Sequence, residues 1–144
     1  MLRKIGITSI ALSVLLLLAG CTPQAEIYAR VDGETLQIAS CEESRIERVT
    51  VSTWSDEKSD WVLQWESQGE SINGSGLVLS IGTPPEGWTS APSDPDTSAL
   101  LSSDSVSVKL WHSPTGAYSE VFNAAGLGSS WGAGDGSAIE PRCL

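Results

Sequence analysis

The sequence predicts an all-β fold, a single antiparallel β-sandwich of about seven strands, and three observations lead there. Short runs of alternating or β-branched residues recur along the chain, separated by Gly, Pro, Asn and Asp clusters. No long amphipathic helix and no strand-helix-strand alternation interrupts them, which sets aside α/β architectures. The composition, 40% hydrophobic and 18% charged over 144 residues, is that of one globular domain with a core of its own. An immunoglobulin-like topology is the first expectation and an open barrel the second.

The strands follow in order. Ile27–Val31 and Glu34–Ser40 flank Asp32-Gly33, a dipeptide suited to the positive-φ positions of a hairpin turn. Glu42-Glu43-Ser44 is a polar connection to the β-branched run Arg45–Ser52. The charged stretch Ser55–Asp60 turns the chain into Trp61–Glu66, where period two places Trp61, Leu63 and Trp65 on one face, expected to be core. Gln68–Ser75 reads as a turn region around Asn73-Gly74, and Gly76–Gly82 as a short apolar strand. Thr83–Trp88 contains two prolines that cannot donate to a ladder. Ser90–Ser105 is a long polar loop with room for a helical turn at Thr97–Leu101. Val106–Trp111 alternates with its aliphatics inward and Trp111 outward, and Gly116–Phe122 closes the set. The remainder is a glycine-rich stretch, Gly126–Gly136, and a tail ending in Cys143.

The amino-terminal residues are of another kind. Arg3 and Lys4 precede Ile5–Leu18, an uncharged apolar run shorter than the roughly 20 residues of a bilayer-spanning helix. This matches the hydrophobic region of a secretory signal peptide. Leu18-Ala19-Gly20-Cys21 then resembles the lipobox of bacterial lipoprotein precursors. That resemblance implies diacylglycerol on the Cys21 thiol, cleavage before Cys21, and a palmitate-type acyl anchor in the membrane. The expected organisation is a signal peptide over 1–20, a lipidated tether over 21–25, and a sandwich domain over 26–144. In outline, the DGETLQIASC and IGTPPEGW stretches also resemble small actinobacterial lipoproteins, a likeness that brings no activity with it. The expected address is the extracytoplasmic face of the cell membrane. Four extended residues after Cys21 reach only about 14 Å, so the domain would sit close to the bilayer.

Export settles the reading of the other cysteines. With Cys21 lipidated, Cys41 and Cys143 remain in an oxidising space and are expected to form one disulfide that pins the tail. A metal pair or a reactive thiol finds no support in a single histidine and the lack of a Cys-x-x-Cys spacing.

Charge and motif exclude several functions. Without Arg3 and Lys4, six cationic side chains face eighteen acidic ones, a net charge of −12 that opposes nucleic acid. His112 is the sole histidine, and no Gly-x-Ser-x-Gly elbow accompanies it, so a hydrolase centred on His112 is the weaker reading. Asp94, Asp96 and Asp104 offer an irregular calcium loop, but Ala99 stands where the calcium-loop pattern needs glycine. No catalytic residue, metal or cofactor is assigned. Six tryptophans against one phenylalanine is the most unusual feature of the composition. Trp54, Trp88, Trp111 and Trp131 fall at strand ends, in loops or on an outward face, and are the candidate contacts to a ligand or partner. Trp88 and Trp131 have a second expected role as lids over the ends of the sandwich. The expected function is thus a non-catalytic binding or interaction module, tethered to the membrane through Cys21. Its partner would be an envelope protein or a glycan, and a glycan- or calcium-binding module is the alternative.

Overall fold

The computed structural model describes residues 26–144. The signal peptide (1–20), the lipobox Leu18–Cys21 and the tether through Ala25 lie outside the described residues. The described residues form eight strands: β1 (Ile27–Asp32), β2 (Thr35–Ser40), β3 (Arg45–Ser55), β4 (Asp60–Asn73), β5 (Leu77–Ser80), β6 (Thr89–Ala91), β7 (Ser105–Trp111) and β8 (Ala117–Asn123). A short helix, α1 (Thr97–Ser102), lies between β6 and β7, and a 3-10 turn (Ala124–Gly126) follows β8.

All pairings are antiparallel, in a three-stranded sheet ordered β1-β2-β5 and a five-stranded sheet ordered β6-β4-β3-β7-β8. The first, second and fifth strands share one sheet while the third sits beside the seventh and eighth in the other. This is the Greek-key order of immunoglobulin-like sandwiches, with β4 in the position that variable-type domains add beside the third strand. The core lies between the sheets. Ile27, Ala29, Leu36, Ile38 and Leu79 line it from the small sheet; Ile46, Val49, Val51, Trp65, Val106, Val108, Leu110 and Phe122 line it from the large one.

The differences from the sequence reading have local causes. The first hairpin turns on Gly33-Glu34 rather than Asp32-Gly33: Asp32 pairs with Thr35, and positive φ occurs at Gly33 (64°) but not at Glu34. Glycine at the first central position is the type II′ arrangement, which matches the twist of the strands. Strand β3 runs three residues beyond Ser52, and β4 continues through the stretch read as a turn as far as Asn73. Side-chain hydroxyls and charges in 67–73 obscured a strand whose outward face is solvated. The additional strand, β6, overlaps the start of the stretch read as a polar loop and pairs only with Glu66–Gln68. The prolines before it form a turn in which the Trp88 N–H bonds to the Pro85 carbonyl at 3.0 Å, with Gly87 at φ 78° in the position a type II turn requires. The helical turn read at Thr97–Leu101 is α1.

The largest departure concerns Trp61, Leu63 and Trp65. Trp65 is fully buried, as alternation predicts, but Trp61 is 36% exposed and Leu63 54%. Val51 pairs with Trp65 whereas Ser52 pairs with Leu63, so Gln64 is an extra residue in β4. Its side chain is satisfied by the Thr53 hydroxyl, to which Gln64 Nε2 donates at 2.9 Å. A one-residue bulge reverses the facing of everything on one side of it, and here it turns Trp61 and Leu63 outward.

The predicted disulfide joins Cys41 and Cys143, with Cα atoms 5.5 Å apart. It holds the tail against the end of β2. Further back, Gly132 exchanges two hydrogen bonds with Ala29 (3.0 and 2.8 Å), and the Val31 N–H donates to Gly128 at 2.8 Å. The glycine-rich stretch thereby covers the free edge of β1, which would otherwise offer unpaired backbone to another chain. At the β8 edge of the large sheet, the Glu120 side chain lies directly against Gly134, where a Cβ would meet its carboxylate.

Helix α1 owes its start to Asp96, whose Oδ1 accepts from the Ala99 N–H at 3.0 Å and the Ser98 hydroxyl at 2.7 Å. These bonds hold the Asp96 carboxyl below its ordinary value of 3.8, the Ser98 hydroxyl contributing most and the Ala99 N–H next. A folded pKa below the unfolded one means that the capping contribution is present above the ordinary value and is lost as pH falls through the folded one. Asparagine caps equally well without titrating. The expected result is that Asp96→Asn loses less thermal stability than the wild type on acidification from neutrality to about pH 3, read from paired melting curves.

Candidate functional site

The bulge at Gln64 decides what the outer face of the large sheet displays. Strand register sets the side chains there in rows across β4, β3, β7 and β8. The first row is Trp61 and Trp54. The second is Leu63, Ser52, Ser107 and Val121. The third is Glu66, Thr50, Lys109 and Ser119, and the fourth Gln68, Arg48, Trp111 and Ala117. An apolar end, a hydroxyl-bearing middle and a charged, aromatic far end thus succeed one another along β3.

The apolar end is uncovered. Trp54 is 41% exposed and Val121 42%, alongside Trp61 and Leu63. Trp54, Trp61 and Leu63 adjoin and form a contiguous patch, which differs from isolated exposed hydrophobes that any surface carries, while Val121 lies across the row beyond Ser52 and Ser107. The rings are held in place: Trp54 and Trp61 meet edge to face at 5.5 Å and 75°, and Trp54 Nε1 donates to Asp56 Oδ1 at 2.9 Å.

At the far end Trp111 is half-buried, as its outward register predicts. Its Nε1 donates to the Thr50 hydroxyl at 3.1 Å. The Arg48 guanidinium lies 4.0 Å from the ring centroid and the Lys109 ammonium 5.9 Å away. Arg48 also approaches Glu66 at 3.8 Å, too long for a full hydrogen bond, so both groups keep bonding capacity. Between the two ends runs a groove of about 340 Å³ with Trp61 and Leu63 at one end, Trp111 at the other, and Thr50, Ser52 and Ser107 as its floor.

The remaining candidate tryptophans lie elsewhere. Trp88 (7% exposed) and Trp131 (5%) fold back onto the domain and do not present their rings to a ligand. Trp88 lies across Gly69, where any Cβ would strike its ring, and donates from Nε1 to the Glu70 carbonyl at 2.9 Å. Trp131 is covered by Arg30, whose guanidinium sits 4.4 Å from the ring centroid. Both are buried against strands of the domain, so Trp54 and Trp111 are the candidates brought to one face. Sequence alternation assigned Trp61 and Leu63 to the core; the cue that could have moved them outward, an unpaired Gln64, is invisible without a partner strand.

His112 is exposed in the β7–β8 turn, its ring 5.0 Å from that of Tyr118. Among the described residues no hydrogen bond joins its ring to a serine or a carboxylate, and the neighbouring Ser113 hydroxyl is occupied by the Gly116 N–H at 2.8 Å. Among the described residues no group of three or more His, Cys, Asp or Glu side chains comes together as a metal site. Asp96, from the candidate calcium loop, caps α1 instead.

Comparison with protein family models, with curated proteins and with solved structures finds no match to this chain.

Proposed function

We propose that this chain is a lipid-anchored lipoprotein of the cell envelope, and that its sandwich is a non-catalytic binding module working through the outer face of the five-stranded sheet. One observation carries the binding role: Trp54, Trp61 and Leu63 stand exposed and adjacent on a sheet whose other face is packed, with Val121 exposed across the same row beyond Ser52 and Ser107. Burying such a patch against a partner is favourable at roughly 25 cal/mol per Å².

The anchor gives that face a direction. The chain would enter the domain at Glu26, where the Cys41 N–H donates to its carbonyl at 2.9 Å and the Glu42 carboxylate accepts from its N–H at 2.6 Å. Cys41–Cys143 and the start of β3 are at this same end. The Trp54/Trp61 row is at the opposite end of β3, on the order of 30 Å away at the usual strand rise. A short lipidated tether at Glu26 would therefore turn the aromatic end away from the bilayer, toward envelope material and not toward lipid.

Two measurements test the reading. Mass spectrometry of the native protein is expected to find an acylated Cys21 as the first residue; an unmodified Cys21 or a different start overturns the anchor. Affinity capture from envelope fractions with the domain from Thr22 onward is expected to lose its bound material on Leu63→Asp. It should keep that material on Val78→Asp, an exposed apolar residue of the other sheet (45%). Equal recovery with both variants overturns the binding face.

A further inference from the structure

We infer that the ligand of this face is an uncharged, straight oligosaccharide of β-1,4-linked pyranose rings, lying in the groove between Trp61 and Trp111. The inference rests on the outer face being the binding surface and adds the chemistry of what is bound.

The groove joins the two kinds of contact that a pyranose chain needs. Sugar rings carry apolar C–H faces, and an indole fixed by its neighbours is a flat partner for them. Trp61 is such a platform: the edge-to-face contact with Trp54 fixes its plane, and Trp61 remains 36% exposed. The sugar's hydroxyl edge both donates and accepts. The floor offers Ser52 and Ser107, whose hydroxyls make no hydrogen bond to the protein among the described residues. The far wall offers cationic donors at Arg48 and Lys109 and an acceptor at Glu66. Donors and acceptors together suit hydroxyls better than they suit a partner of one charge.

Charge and shape narrow the choice. A net charge of −10 opposes polyanionic chains, whereas a neutral glycan meets no such field. From Trp61, opposite Trp54, to Trp111, opposite Arg48, the groove follows β3 from residue 48 to 54, about 20 Å at the usual strand rise. That length takes several sugar rings in line. A floor of hydroxyls following the extended course of β3 fits a ribbon-like β-1,4 chain and leaves a curved α-1,4 chain touching only one end.

The test is titration of the full chain, in detergent, with chitotetraose, cellotetraose and, as the curved control, maltotetraose, followed by tryptophan fluorescence. Trp65, Trp88 and Trp131 are buried and give a constant background. Millimolar chitotetraose or cellotetraose is expected to shift the emission, with maltotetraose markedly weaker. Trp61→Ala is expected to weaken binding about tenfold, equal to about 1.4 kcal/mol. Ser52→Leu, which fills the floor, is expected to abolish it, with the melting temperatures of both variants near wild type because both positions face outward. No shift with either straight chain, an unchanged affinity in Trp61→Ala, or preference for maltotetraose overturns the inference. If the straight chains fail while Leu63→Asp still abolishes capture, a protein ligand replaces the glycan and the binding face stands. If capture is also indifferent to Leu63→Asp, the binding face itself is lost.

Discussion

Replacing Cys143 with serine is expected to lower the unfolding free energy by about 3–5 kcal/mol, the cost of opening a loop that spans nearly the whole domain. The bond joins residues 102 positions apart, so its loss frees most of the unfolded chain. It also frees the tail in the folded state. Trp131 is buried by a segment whose backbone holds to β1 through Gly132 and Gly128, and Cys143 is the anchor beyond it. Once the anchor is gone, the tail can peel away and uncover the edge of β1, so the variant should also self-associate more readily. Urea denaturation of the wild type with and without reductant, beside Cys143→Ser, measures the effect. The reduced wild type and the variant should coincide; a loss under about 1 kcal/mol would show that the tail is held by its packing alone.

A loss of similar size, about 3–5 kcal/mol, is expected for Trp65→Ala. Trp65 is the largest fully buried side chain, opposite Val51 and in the middle of the core. Truncation would leave a cavity that the surrounding strands, hydrogen-bonded on both sides, cannot close. Trp65→Phe separates volume from polarity. The Trp65 indole N–H is the one buried side-chain polar atom among the described residues without a hydrogen-bond partner. Removing it relieves an unsatisfied donor, a gain of about 1–3 kcal/mol set against the smaller ring. Phenylalanine is therefore expected to cost far less than the difference in volume alone implies. Chemical denaturation of both variants checks this, and equal losses for Phe and Ala would refute the role given to the N–H.

The all-β class, the single domain and the disulfide were legible because each depends on short-range pattern or on counting. Alternation in Val106–Trp111 predicts both the buried aliphatics and the outward Trp111, and the structure agrees on both. The same rule misplaced Trp61 and Leu63, since alternation carries no information about a bulge whose extra residue is defined only against β3. Of the four candidate tryptophans, Trp54 and Trp111 share the exposed face. Trp88 and Trp131 are buried by Gly69 and Arg30, neighbours 19 and 101 positions away in sequence.

Residue order alone therefore specifies the all-β class, most of the strands, which cysteines can pair, and that the chain is acidic. Those properties follow from backbone preference, periodicity and charge, and each is local or a simple sum. Which face the aromatic side chains occupy depended on register between strands. A single inserted residue reverses that facing, and its position is set by the partner strand and by the Thr53 hydroxyl that receives Gln64. The groove from Trp61 to Trp111 exists only because three strands, brought together across the sheet, agree on that register.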